Sequence, residues 1–143
     1  MYMVFVSYKT GELSLLDPLV TALRQASIDV YIAEENPQPG RHLYDQKIIP
    51  GIKASDCMLV LLTPAAAKSQ DVISEIGMAL SLSKPIVVLL ERGVQCPGPL
   101  AGKEVLDFDR QDSLSALQKA CDCICDLAGG KEQTEAEIRR ALW

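Results

Sequence analysis

Aromatic and imidazole side chains are scarce in this sequence: one His, one Trp and 5% aromatic residues in 143. The single histidine, His42, stands beside a proline-rich stretch and reads as a loop residue, not a catalytic base. No apolar run approaches the ~20 residues a membrane-spanning helix needs, so no membrane partner is expected. The opening residues MYMVFVSYK lack the basic stretch of a secretory leader and read as a strand. Positive charge is in deficit, with 14 Lys+Arg against 19 Asp+Glu and a net charge of −5, which argues against a broad nucleic-acid surface. Gly93, Gly98 and Gly102 do not form a G-x-G-x-x-G fingerprint, so a Rossmann reading fails. The apolar run over residues 57–62 ends in Leu61-Leu62-Thr63, without the aspartate a phosphoacceptor receiver domain needs there. Repeats and low-complexity tracts are absent.

The five cysteines are an odd number without a leader, which points to reduced thiols and a cytoplasmic location. Cys121, Cys123 and Cys125 have a metal-like spacing, but on a helix Cys121 and Cys125 share one face while Cys123 points away. With no histidine nearby they read as packing thiols, and no metal is expected.

Apolar residues make up 48% of the chain, enough for one folded domain with a real core. Strands are expected at residues 3–6, 29–33, 57–62, 86–90 and 104–108. Helical spacing runs through residues 13–26, with Asp17 expected to cap the regular part because Pro18 fits only a first turn. A second helix is expected over residues 43–54, interrupted or kinked at Pro50-Gly51. Thr63-Pro64 starts a short turn, Ser69 caps the next helix, and Pro85 stops it. A last helix covers residues 113–127, and Gly129-Gly130 is expected to end it. The domain is accordingly placed at residues 1–128, with 129–143 a charged helical tail or a linker. Five strands alternating with helices predict a flavodoxin-like α/β fold, a parallel sheet in the order 2-1-3-4-5 with helices on both faces. Ligands in such sheets lie beyond the carboxyl ends of the strands, near the switch between strands one and three.

That rim gathers Ser7-Tyr8-Lys9, the loop over residues 34–41 and the approach to Glu75. Glu75 is the odd residue of its helix. No Lys or Arg stands between Lys68 and Lys84, its helical neighbours include Met78, Ala79 and Leu82, and Asp71 lies one turn back. An unpaired carboxylate beside apolar groups and a like charge has a raised pKa, and such groups concentrate at functional sites. A solvated Glu on the wet side of an amphipathic helix is the competing reading. Ser7, likewise, either closes its strand locally or faces the site, and Glu34-Glu35 is either a solvated pair or a ribose contact.

Four pieces, in this order, resemble Toll/interleukin-1 receptor (TIR) domains over about residues 3–108. VFVSYK resembles the first-strand box, VYIAEENPQPGRHL the second strand and its BB loop, IIPGIKASDCMLVLLT the helix-to-strand passage, and S-x(5)-E-I-G-x-A the segment with the catalytic glutamate of enzymatic members. The resemblance is to the prokaryotic NAD-consuming type. It implies cleavage of the nicotinamide–ribose bond of NAD⁺, a substrate and not a resident cofactor, giving ADP-ribose or a cyclic ADP-ribose isomer, often in antiphage defence. It implies Glu75 as the catalytic residue and Ser7, Tyr8, Lys9 and Glu34 as substrate-binding residues. It also implies self-association through TIR–TIR contacts. Asp71 stands where many enzymatic members have a tryptophan. Two other functions stay open: a non-enzymatic assembly module, and a nucleoside deoxyribosyltransferase-like enzyme, whose glutamate segment EIGMALSLSKPIVVLL also resembles.

Overall fold

The computed structural model describes residues 1–33 and 47–142. Its strands are β1 (Met3–Ser7), β2 (Asp29–Tyr31), β3 (Cys57–Leu62), β4 (Ile86–Glu91) and β5 (Leu106–Phe108). They form one parallel sheet in the order β2-β1-β3-β4-β5, as the alternation of strand and helix predicts. The helices are α1 (Asp17–Gln25), α2 (Ile49–Ala54), α3 (Pro64–Ala67), α4 (Gln70–Ser81) and α5 (Leu114–Leu142).

The two-residue period of a strand divides the core into two layers. Val4 and Val6 of β1 and Cys57, Leu59 and Leu61 of β3 face α1 and α5. Phe5 of β1 and Met58, Val60 and Leu62 of β3 face α2, α3 and α4. All six residues of β3 are buried, which is why its sequence is apolar throughout. On the second face the Phe5 and Tyr31 rings stack with centroids 5.6 Å apart, and α2 crosses them at Gly51. A Cβ there would lie 2.7 Å from the Tyr31 ring, so only glycine allows this approach.

Two of the helices differ from expectation at their ends. Asp17 is the first residue of α1 and not its cap; the cap position is Leu16, which makes no side-chain cap bond, and residues Leu13–Leu16 form a 3-10 turn leading in. Pro50 lies in the first turn of α2, directly after a π-helical pair at residues 47 and 48, and residues 43–46 of the expected helix lie outside the described residues. Helix α5 does not stop at Gly129-Gly130 but runs on to Leu142. Two interior glycines cost about 2 kcal/mol of helix propensity. Continuation is favoured just beyond them by Lys131, whose Nζ donates to Asp56 Oδ1 at 2.7 Å and lies 5.8 Å from the Tyr2 ring centroid.

Asp56 also accepts from the Met3 N–H at 2.8 Å, so it ties the amino ends of β1 and β3 to α5. Burial alone would raise its pKa, but the bonds from Lys131 and Met3 hold it below the ordinary value. Cys121 and Cys125 pack half-buried against the α1/α5 core while Cys123 is exposed, as one helical face dictates. No helix among the described residues is long and apolar enough to cross a membrane.

Candidate active site

Two local signals carry Glu75 to its place. Thr63 caps α3 by accepting from the Ala66 N–H at 3.1 Å, and Ser69 caps α4 by accepting from Val72 N–H at 3.4 Å. Between them they fix the start of α4, and helical spacing then aligns Val72, Glu75, Ile76 and Ala79 on its buried side. Glu75 therefore belongs to the stripe that faces the sheet and not to the solvated side. It is 8% exposed.

Ser7, the last residue of β1, shares the face of Phe5 and so points toward α4. Its hydroxyl donates to Glu75 Oε1 at 3.1 Å, across 68 positions of sequence. No Lys, Arg or His among the described residues forms an ion pair with Glu75. Burial raises its pKa from an ordinary 4.5 to about 7; the Ser7 bond opposes the rise and the Asp71 carboxylate adds to it. Asp71 itself is exposed, in the first turn of α4. The result, among the described residues, is a buried carboxylate held by one neutral donor at the switch between β1 and β3.

The other sequence-predicted residues separate. Tyr8, just past the end of β1, packs half-buried against the α1/α5 core, on the side of the sheet opposite α4. Lys9 is exposed at the same rim, its carbonyl accepting from the Glu12 N–H at 3.0 Å. Glu34, His42 and the proline-rich loop lie outside the described residues. A cleft of about 460 Å³ opens between α3 and the segment after β4, lined by Lys68, Val94 and Cys96 among others, and Glu75 does not line it.

One polar group at this rim escaped the sequence reading. Thr63 donates to Glu12 at 2.6 Å, and Arg110 bridges Glu12 at 3.1 Å and Glu91 at 2.8 Å. The partners are 51, 98 and 19 positions apart, so no local motif marks them. Their shared signal is topological: each stands at or just after the carboxyl end of a strand of one parallel sheet.

A TIR domain family profile matches residues 4–121. The chain belongs to the TIR domain family. Among solved structures, this TIR domain is similar to that of the Toll-related receptor TRR-2 from Hydra magnipapillata, with a TM-score of 0.73 and 21% identity over 90% of this chain and 99% of that one. It is similar to the CMP N-glycosidase BcmB from Clostridium botulinum, at TM-score 0.60 and 17% identity, over 81% and 98% of the two chains. It is also similar to the TIR domains of the activated Roq1 resistosome, at 0.57 and 13%, over 100% of both. At these identities the shared property is the fold. No curated protein matches in sequence. In this TIR domain the described residues bring Ser7 and Glu75 together at the carboxyl-terminal rim of the sheet, between β1 and α4.

Proposed function

We propose that this TIR domain cleaves the nicotinamide–ribose bond of NAD⁺, with Glu75 as the catalytic carboxylate. The observation that carries the reading is the buried Ser7–Glu75 pair, a carboxylate with no ion-pair partner among the described residues, at the rim where such sheets take ligands.

The chemistry asks for little more. Glycosidases of ordinary sugars need two carboxyl groups because the leaving oxygen must be protonated. Nicotinamide departs from a cationic pyridinium as a neutral molecule, so no general acid is needed. As the C–N bond breaks, its electron pair goes to the pyridine nitrogen and positive charge develops on the ribose. An ionised Glu75 stabilises that charge and accepts from ribose hydroxyls, more strongly in a water-poor crevice than in bulk solvent. Water, or the adenine ring of the same molecule, then takes the ribose carbon, giving ADP-ribose or a cyclic isomer. The exposed Lys9 offers a cation to the phosphates at this rim. Tyr8, its ring committed to the opposite core, contributes through its backbone, and Glu34 is a proposed ribose contact. Self-association completes the pocket, so specific activity rises with protein concentration. The proposed setting is cytoplasmic immune signalling of the antiphage kind.

Following free nicotinamide after addition of NAD⁺ tests the reading. Turnover is expected from the wild type and loss of it from Glu75→Gln. A non-enzymatic assembly role is favoured by Asp71 at the position of the usual aromatic and by Tyr8 facing away. That role stands if concentrated wild type leaves NAD⁺ intact. The fold shared with a CMP N-glycosidase keeps nucleotide N-glycosidic cleavage as a third reading, decided by offering CMP and nucleosides in the same assay.

A further inference from the structure

Beside the Ser7–Glu75 pair the rim carries a second polar assembly, centred on Glu12. Both oxygens of its carboxylate are held: Thr63 Oγ1 donates to Oε1 at 2.6 Å and Arg110 Nη2 to Oε2 at 3.1 Å. The same Arg110 nitrogen donates to Glu91 Oε1 at 2.8 Å. The turn that presents Glu12 is closed by its own N–H on the Lys9 carbonyl at 3.0 Å and by Leu15 N–H on the Glu12 carbonyl at 3.2 Å.

Stability alone is a weak reason for this arrangement. Arg110 and its two acids are partly exposed, 45% for the guanidinium side chain, and such pairs contribute little. Thr63 is different. It is fully buried, its oxygen already accepts from Ala66 N–H, and its only hydrogen goes to Glu12. A short bond from a buried hydroxyl to a carboxylate is charge-assisted and fixes geometry. What it fixes is set by the chain path. Glu12 closes the loop that begins at Ser7, and Thr63 begins the segment that leads through α3 into α4 and Glu75. The Glu12–Thr63 bond thus ties together the two segments that present the two partners of the candidate site.

We propose that Glu12 is a positioning residue for the Ser7–Glu75 pair, holding the loop after β1 against the entry to α4 through Thr63, with Arg110 orienting its carboxylate. It touches no reacting atom. The proposal rests on the reading of Glu75 as the catalytic carboxylate.

Steady-state kinetics with NAD⁺, alongside thermal melting, tests it in Glu12→Gln, Thr63→Val and Thr63→Ser. Glu12→Gln and Thr63→Val are expected to lower kcat about tenfold or more with KM little changed, because misplacement weakens the reacting geometry more than binding. Thr63→Ser keeps the hydroxyl and retains activity. The Glu12→Gln/Thr63→Val double variant loses no more than Thr63→Val alone, since Gln keeps an acceptor oxygen and only weakens the bond that Val removes. Lower melting temperatures with kcat unchanged in the folded state would overturn the proposal. If Glu12→Gln does not fold, the Thr63 pair supplies the same comparison. If the wild type releases no nicotinamide, the function proposed above fails separately. Positioning is then read from ¹³C NMR titration of the Glu75 carboxyl. Loosening the Ser7 bond in Glu12→Gln should move the midpoint upward by a few tenths of a unit; an unmoved midpoint overturns the proposal.

Discussion

Asp56, partly buried, and Glu75, buried, are carboxylates at opposite ends of the same pair of strands, β1 and β3, and they are driven in opposite directions. Burial pushes the pKa of both upward. Asp56 meets an ammonium, Lys131, and a backbone N–H, Met3, and is held below its ordinary value. Glu75 meets one neutral hydroxyl, with a like charge one turn away, and rises to about 7. The amino-terminal rim is therefore satisfied and fastens three elements, β1, β3 and α5. The carboxyl-terminal rim keeps a carboxylate that no cation among the described residues neutralises. Desolvation does not distinguish a structural acid from a reactive one; the company it keeps does.

Substitution at the two positions should break the comparison most visibly. Glu75→Gln is expected to lower the kcat of nicotinamide release by about 10²–10³-fold, the range for loss of one transition-state electrostatic group. Its melting temperature should hold or rise, because a buried charge has been removed. Asp56→Asn should do the reverse. It weakens the Lys131 and Met3 bonds, costing about 1–2 kcal/mol after allowance for partial exposure of the pair, with kcat of the folded protein unchanged. Nicotinamide release and calorimetry on the same two preparations check both. A Glu75→Gln protein as active as wild type would remove the chemical role from the carboxyl rim.

Proton linkage gives the same contrast with opposite signs. The folded pKa of Glu75 lies above its unfolded value, so the folded state binds the proton more tightly. Its contribution to stability is greatest below the ordinary 4.5 and is lost as pH rises toward about 7, by on the order of 3 kcal/mol at most. Asp56 is depressed, so its contribution is present above its ordinary 3.8 and is lost as pH falls through the folded value. Denaturant titrations across pH should show the first slope vanish in Glu75→Gln and the second in Asp56→Asn. The proposed mechanism needs ionised Glu75, so on that proposal kcat/KM should climb through about pH 7 while stability declines.

Sequence alone carried much of this comparison at one rim and little at the other. The alternation of strands and helices gave the sheet order, because right-handed crossovers leave few topologies. Glu75 was legible because its isolation is local: the absence of cations from Lys68 to Lys84 and the presence of Asp71 are read within one helix. Ser7 followed from topology. Tyr8 shows where that logic stops, since the period of a strand sends adjacent residues to opposite layers and only one of Ser7 and Tyr8 can face α4. The Asp56–Lys131 and Glu12–Thr63 contacts join residues 75 and 51 positions apart and leave no local trace. The first of these also explains why Gly129-Gly130 failed as a stop signal: a propensity of ~1 kcal/mol per glycine gave way to a tertiary anchor one residue later.

The smallest expected effect separates the two causes of Glu75's elevation. Asp71 is exposed, so its repulsion acts partly through solvent and is screened by salt, whereas burial of Glu75 is not. Asp71→Asn should therefore move the pH midpoint of nicotinamide release downward by only a few tenths of a unit. Raising ionic strength should move the wild-type midpoint the same way and leave that of Asp71→Asn nearly still. A larger drop in the variant would mean that Asp71, and not the apolar surround, holds Glu75 near neutrality. In that case the two rims would differ by one surface charge instead of by the partners built into the fold.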